Sequence, residues 1–128
     1  MLVFKRGEDI FSSLKEFCKQ EKISSGFFHG LGGCSYLKLS FYNLETKKYE
    51  EEEFNKDLEI ANITGNIATY ENDLTMHIHG TFADEKMKCI GGHVMSMKAG
   101  GTCEIFLTKF DYLMTRKLDA NTGLKLLE

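Results

Sequence analysis

The first regular pattern along the chain is a helical one near the N-terminus. Apolar side chains recur there at intervals of three and four residues: Ile10, Phe11, Leu14, Phe17 and Cys18. Polar residues occupy the positions between them, so the apolar groups share one face of a 3.6-residue period. The pattern predicts a helix from about Asp9 to about Glu21, and Ser24-Ser25-Gly26 predicts the end of that element.

Further along the chain the pattern changes to alternation and to short apolar runs, which are typical of strands. The predicted strands cover residues 36–42, 47–54, 58–68, 74–82, 88–97 and 102–108. Polar or glycine-containing turns separate them at 43–46, 83–87 and 99–101. Gly65-Asn66 interrupts the third strand and predicts a bulge or bend. The tail from 112 to 128 has short apolar pieces around a turn at Asn121-Thr122-Gly123.

One clear helix and many short strands define the expected architecture. Helices and strands do not alternate, which argues against a doubly wound parallel sheet. A chain of 128 residues with no segment that resembles a linker or a repeat fits a single domain. We therefore expect a compact α+β domain over residues 1–128, with a mainly antiparallel, barrel-like sheet and one or two flanking helices.

The composition indicates a packed domain that does not enter a membrane. Hydrophobic residues make up 42% and charged residues 27%, which is enough for a core without disulfide bonds. No apolar run approaches the roughly 20 residues that a membrane span needs. The N-terminus lacks the apolar segment of a signal peptide, so we expect a cytoplasmic protein. Its four cysteines form no C-x-x-C pair and are expected to be reduced thiols in the core: Cys18, Cys34, Cys89 and Cys103.

The charge of the chain bears on nucleic-acid binding. The formal net charge is -3, from 16 basic and 19 acidic residues. A protein that binds nucleic acid unaided usually has a basic face, so this balance disfavours that function. The densest acidic run is 50–53, in a predicted hairpin. It is either a cation site or, as we favour, a charged hairpin edge that resists aggregation.

Three of the four histidines lie close together in the sequence and define a candidate metal site. His77 and His79 are two residues apart on a predicted strand, so both imidazoles project from one face. Antiparallel pairing about the turn at 83–87 sets residue 79 opposite residue 92 or 93. One residue of slip would reverse the face of His93, and a bulge at Gly91-Gly92 is one way to aim it at the pair. The alternative is three unconnected histidines on a wet strand face.

Three imidazole ligands favour a transition metal, and zinc first among them. Zinc sites with three protein ligands and an open fourth position are the catalytic pattern, while imidazole also suits iron, copper and nickel. We predict that His77, His79 and His93 bind zinc or another divalent transition metal. The fourth histidine, His29, lies in a glycine-rich segment whose spacing matches no phosphate-binding motif, and we interpret it as part of a tight bend.

Two carboxylates among apolar neighbours are candidates for a catalytic role. Glu59 lies in Leu58-Glu59-Ile60, and Glu104 lies in Cys103-Glu104-Ile105. Each is either a solvent-facing strand residue or a functional group, as a metal ligand, a partner that orients an imidazole, or a general base. Glu104 is the stronger candidate, because its predicted strand follows that of His93 by one turn.

Five short motifs occur in a characteristic order along the chain. They are Leu58-Glu59-Ile60, Thr64-Gly65-Asn66-Ile67, His77-Ile78-His79-Gly80, Gly91-Gly92-His93-Val94 and Cys103-Glu104-Ile105. Together they resemble the plants-and-prokaryotes conserved domain, or PPC domain, and the resemblance covers about residues 4–108. The H-x-H followed by G-G-H is its most specific part.

The resemblance implies several properties of the protein. Members of that family have an α+β fold around an antiparallel sheet and form homotrimers, and its bacterial and archaeal members bind a metal through residues that match His77, His79 and His93. Members are also described as DNA-binding, after plant relatives in which an AT-hook accompanies the domain. This chain has no Arg-Gly-Arg AT-hook, and it has the metal histidines that the plant domains generally lack.

The sequence is compatible with three kinds of function. We favour a metal-dependent enzyme that acts on a small molecule as a lyase or hydrolase, with Glu104 or Glu59 moving a proton. A DNA-binding or regulatory module that acts as a trimer comes second. A metal-sensing or ligand-binding protein without turnover is the third, and no substrate follows from the sequence.

Overall fold

A computed structural model describes all residues from 1 to 128. Its elements in chain order are β1 Leu2–Lys5, α1 Ile10–Gln20, β2 Gly26–Asn43, β3 Lys48–Phe54, β4 Leu58–Tyr70, β5 Asp73–Ala83, β6 Cys89–Lys109, β7 Arg116–Leu118 and β8 Lys125–Leu127. The six strands of the main sheet pair only in the antiparallel sense. The predicted α+β class is therefore confirmed, with one helix beside the sheet.

Four strands of the main sheet close into a ring. β2 pairs with β4, β4 with β5, β5 with β6, and β6 returns to β2. β1 pairs with the second half of β6, and β3 extends the far end of β2 as an edge strand. The apolar side chains of the ring point inward, and the largest fully buried ones include Phe28, Phe82, Ile63 and Met97.

Helix α1 packs its apolar face on the sheet. Ile10, Leu14 and Cys18 are fully buried at a spacing of four residues, as the periodicity predicted. The side chain of Asp9 caps the helix by accepting a hydrogen bond from the Ser12 amide at 2.8 Å. Eleven residues are too few to span a bilayer, and no helix of the chain meets the length and hydropathy of a membrane span.

The two longest strands run through glycine segments that the sequence suggested as breaks. β2 has 18 residues and β6 has 21, and both are continuous through register shifts. The predicted turn at 99–101 is therefore wrong, as is the tight bend around His29. Gly32 has a φ of +132°, and a Cβ there would collide with the carbonyl of Thr102, so glycine lets the two strands approach closely.

The irregularity in β4 lies at a different place from the predicted one. Gly65 pairs regularly with Phe28 on one side and Ile78 on the other. The register shift falls instead between Ile60 and Asn62. Gly65 serves packing rather than bending, because a Cβ there would collide with the Phe28 ring that fills the interior of the barrel-like sheet.

The charged run 50–53 forms the exposed edge of the sheet. These glutamates lie on β3, which pairs only with β2, and all of them are exposed. Lys38 on β2 binds two of them, with its Nζ 2.6 Å from Glu51 and 3.6 Å from Glu53. The predicted position at a solvated, charged hairpin edge is confirmed, and resistance to aggregation stays its predicted role.

The C-terminal tail folds into a small hairpin of β7 and β8. Its turn is closed by Asp119, whose carboxylate accepts hydrogen bonds from the amide and hydroxyl of Thr122. The hairpin docks on the main sheet where Tyr42 donates a hydrogen bond to the Thr122 carbonyl at 2.7 Å and Lys125 lies 4.1 Å from the Tyr70 ring centroid. The predicted turn at 121–123 is confirmed.

All four cysteines are free thiols, as predicted, but only three of them lie in the core. Cys18, Cys34 and Cys103 are buried, whereas Cys89 is exposed. Cys89 occupies the first position of β6, next to the turn that joins it to β5, where no second layer covers it. The expectation that all four belong to the core is wrong for this residue.

Candidate metal centre

The β5–β6 hairpin places His79 directly opposite His93. The pairing runs from Ala83 and Cys89 at the turn to these two histidines without a register shift. The predicted pairing of residue 79 with 92 or 93 is confirmed, and no bulge at Gly91-Gly92 is needed. Directly opposed residues in antiparallel strands share a face, so both imidazoles point to the same side.

His77 completes a compact cluster of three imidazoles. It lies two residues before His79 on β5, and the Nε2 atoms of the two rings are 3.1 Å apart. The ring centroid of His93 lies 5.1 Å from that of His77 and 5.4 Å from that of His79. One ligand nitrogen from each residue can be chosen so that all three lie within 4.8 Å of one another.

These separations fit the demands of a zinc ion. Two imidazole nitrogens about 2.0–2.1 Å from zinc in a tetrahedral arrangement are about 3.3 Å apart. The 3.1 Å between His77 and His79 is already close to that value, whereas the largest separation in the cluster is up to 4.8 Å, so the rings must close in by up to about 1.5 Å around an ion. Three nitrogen donors without a carboxylate are also chemistry that transition metals prefer over calcium or magnesium.

The surroundings of His77 and His93 favour the neutral form that binds metals. Burial is the main cause that lowers the pKa of His93 to about 4, and the neighbouring histidines add to it. Burial also lowers the pKa of His77, with further contributions from His79 and Arg116. A metal ligand must be unprotonated, so these shifts remove proton competition near neutral pH.

Residues from distant parts of the chain surround the cluster. Asn66 on β4 is the register partner of His77, and its Oδ1 accepts a hydrogen bond of 2.6 Å from Arg116 in the tail. The Tyr49 ring on β3 lies 5.6 Å from that of His93. Ser40 on β2 pairs with His93 from the other side. Sequence reasoning did not place these residues at the site; Tyr49, Ser40 and Arg116 belonged to no motif, and Asn66 stood out only in the motif Thr64-Gly65-Asn66-Ile67 and as part of a suspected bulge.

The candidate catalytic carboxylates lie on other parts of the sheet. Glu59 pairs with Ala83, which is six residues along β5 from His77 and therefore about 20 Å away at about 3.3 Å per residue. Glu104 pairs with Val3 on β1 and with Leu31 on β2. Leu31 lies nine residues along β2 from Ser40, the partner of His93. Neither belongs to the histidine cluster.

His29 is separate from the three clustered histidines. It lies on β2 and pairs with Thr64, which in turn pairs with His79, so two strand spacings separate His29 from the cluster. Its ring stacks on that of Phe106, with centroids 5.3 Å apart. His29 is therefore a matched control for any experiment on the metal site.

The fold and the cluster together define a small α+β domain with a three-histidine candidate metal site. The family model of the Plants and Prokaryotes Conserved (PCC) domain matches residues 1–111, and the chain belongs to this family, which is the one that the sequence motifs resemble. No curated protein sequence is similar enough to supply a relative.

Solved structures of several relatives share the fold. A proposed DNA-binding protein from Bacteroides thetaiotaomicron is 28% identical with a TM-score of 0.94, covering 98% of this chain and 88% of that one. A metal-containing protein from Archaeoglobus fulgidus is 26% identical with a TM-score of 0.92, covering 99% and 90%. A plant- and prokaryote-conserved (PPC) protein from Pyrococcus horikoshii has the same identity and TM-score, covering 99% and 88%.

Proposed function

We propose that this protein binds one divalent transition metal per chain through His77, His79 and His93, with zinc as the first choice. The observation that carries the proposal is the approach of three imidazole nitrogens to within 4.8 Å from two paired strands. The similarity to a metal-containing protein from Archaeoglobus fulgidus supports it. The neutral state favoured for His77 and His93 supports it as well.

We further propose that the metal serves chemistry on a small molecule. A metal with three protein ligands and a free coordination position supplies Lewis acidity, which suits lyase and hydrolase reactions. The sequence candidates for moving a proton, Glu104 and Glu59, lie outside the cluster, so their catalytic role stays a prediction. Besides the metal, Tyr49, Ser40 and the C-terminal tail are the parts of the chain that we assign to contact with the small molecule.

We also propose that the protein is a homotrimer, which the family resemblance implies, and that it acts in the cytoplasm, as expected from the sequence. Exposed apolar side chains on neighbouring strands support self-association. Phe27 and Leu31 on β2 are 39% and 51% exposed, and Phe106 on β6 is 41% exposed. Large apolar groups clustered on a surface often mark a contact with another protein chain.

DNA binding is the second candidate function, favoured by one specific observation. The relative from Bacteroides thetaiotaomicron is described as a proposed DNA-binding protein. The net charge of -3 and the exposed glutamates of β3 work against contact with phosphates. We therefore place metal binding first.

Metal analysis of the purified protein tests the proposal directly. Protein prepared without chelator, and protein stripped with chelator and then titrated with zinc, should both approach one ion per chain. The His93→Ala variant should lose that ion, whereas His29→Ala should retain it, because His29 lies two strands from the cluster. A wild-type zinc content near zero after incubation with zinc would refute the site.

A further inference from the structure

Arg116 is an arginine without an acidic partner at the edge of the histidine cluster. It lies beyond the residues matched by the family model, on β7 of the tail hairpin. Its Nη2 donates to Asn66 Oδ1 and its Nη1 to the Lys125 carbonyl, both at 2.6 Å. Both acceptors are neutral, and the buried Nε has no hydrogen-bond partner.

The other arginine of the chain, Arg6, has the acidic partner that Arg116 lacks. The side chain of Arg6 is 62% exposed, so water can accept its hydrogen bonds. Its Nη1 nevertheless lies 3.0 Å from Asp57 Oδ1. Arg116 is half-buried and forms no ion pair. A charge held away from solvent is costly unless an opposite charge accompanies it. The structure thus supplies the cation and its supports but no anion.

A second unsatisfied polar atom lies on the opposite side of the cluster. Two buried side-chain polar atoms in the chain have no hydrogen-bond partner, the Nε of Arg116 and the hydroxyl of Ser40. Ser40 is the register partner of His93, and Arg116 is bound to the register partner of His77. Unpaired buried groups are uncommon in folded proteins, and these two lie on opposite sides of the histidine cluster.

The charge of the proposed metal site also favours an anionic ligand. A divalent ion on three neutral imidazoles keeps its full charge, because no carboxylate belongs to the ligand set. Together with the adjacent guanidinium, the site carries an excess of positive charge that only an external anion can balance. A guanidinium donates in a planar fork that matches the two oxygens of a carboxylate.

We propose that Arg116 is the binding group for the carboxylate of a small organic acid at the histidine cluster, with Ser40 as a further hydrogen-bonding contact. This inference rests on the proposed metal function. Tyr49 beside His93 supplies an aromatic surface for the hydrocarbon part of the ligand. The protein is thereby assigned a substrate class, small carboxylic acids.

A carboxylate fits the surroundings better than a phosphate does. Protein phosphate sites usually gather several backbone N–H groups in a loop or at a helix N-terminus. His77, His79 and His93 lie within strands, His77 paired with β4 and the other two paired on both sides, and no helix begins near them.

Calorimetric titration of the zinc-loaded protein with acetate, pyruvate and inorganic phosphate is the test. The carboxylates should bind the wild type, and Arg116→Gln should weaken that binding at least about tenfold, since a hydrogen bond to a charged group is lost. The matched control Arg6→Gln should leave it unchanged. A second variant, Asn66→Asp, gives the guanidinium an internal carboxylate and should also weaken binding while Arg116 stays in place.

Zinc content measured on every variant separates the two proposals. A wild-type protein that holds no zinc after incubation with zinc would overturn both the proposed metal site and the proposed carboxylate binding. Zinc present with unchanged carboxylate affinity in Arg116→Gln and Asn66→Asp would overturn this inference alone and leave Arg116 a structural residue of the tail. Binding of phosphate without binding of carboxylates would overturn the substrate class.

Discussion

The Nε2 atoms of His77 and His79 lie 3.1 Å apart on the same face of β5. At this distance the ring whose Nε2 carries the proton donates to the other, and the contact holds the two rings side by side. The pair is already spaced for a common ion, and little conformational entropy is lost when one binds.

Replacement of His79 by alanine should remove metal binding and leave the fold intact. His79 is exposed on the outer face of β5 and takes no part in the core. Zinc at 100 times its Kd should stabilise the wild type by about 2.7 kcal/mol, seen as a rise in Tm, and should not stabilise His79→Ala. Circular dichroism checks the fold of the variant. Retained stoichiometric zinc in His79→Ala would show that it is not a ligand.

Addition of one methyl group at Gly65 should destabilise the core. A Cβ there meets the Phe28 ring, which is fully buried and has no free space to enter. Overpacking of this kind costs about 1–3 kcal/mol of unfolding free energy, measurable by urea denaturation of Gly65→Ala. Gly101→Ala is the matched control, since a Cβ at Gly101 meets nothing within 4 Å. Equal stability of the two variants would contradict the packing described here.

Only one thiol of the native protein should react rapidly with Ellman's reagent at pH 8. Burial raises the pKa of Cys34 to about 12 and those of Cys18 and Cys103 to about 11, so these groups stay protonated and shielded. Cys89 is exposed and should account for the rapid phase. Cys89→Ser should abolish that phase, and denaturant should release the other three. A rapid phase that survives in Cys89→Ser would mean that a core thiol is accessible.

Light scattering coupled to gel filtration should report a mass near three times the chain mass of 14.6 kDa. The expectation comes from the family resemblance, with the exposed apolar groups of β2 and β6 as physical support. Leu31→Glu should weaken the assembly by placing a charge on that surface, whereas Leu44→Glu, on an exposed turn, should not. A monomeric wild type over a wide concentration range would count against the trimer.

Duplex DNA should bind the protein weakly and without sequence preference. Phosphate contacts supply most non-specific affinity, and the chain has more acidic than basic residues. Anisotropy titration at about 150 mM salt, where screening extends to roughly 8 Å, measures this with two unrelated duplexes. Submicromolar binding with discrimination between the duplexes would promote DNA binding above the metal-dependent function.

The histidine hairpin was predictable because its determinants are local. The turn at 83–87 fixes the centre of pairing, and the period of two then sets His79 opposite His93. The helix was predictable for the same reason, since its apolar period and the cap at Asp9 lie within one short segment. Each prediction depended on residues close together in the sequence.

The long strands and the surroundings of the site depend on distant partners. Gly32 appears as a break in the sequence, and only the approach of Thr102 shows that glycine keeps two strands in contact there. Arg116 reaches Asn66 across 50 positions of the chain, and no periodicity encodes such a contact. The candidate carboxylates Glu59 and Glu104 were chosen by their apolar neighbours, which specify a strand but not a distance to the histidines.

The proposed metal ligands and the proposed anchor for the acid lie on different parts of the chain. The histidines belong to the stretch that the family model matches, whereas Arg116 belongs to the hairpin after it. A gene that ends after codon 111 would still encode every proposed metal ligand and would lack the proposed anchor for the acid. The proposed metal ligands and the proposed anchor for the acid thus come from separate stretches of the chain, so a change confined to residues 112–128 would alter the anchor and replace none of the three histidines.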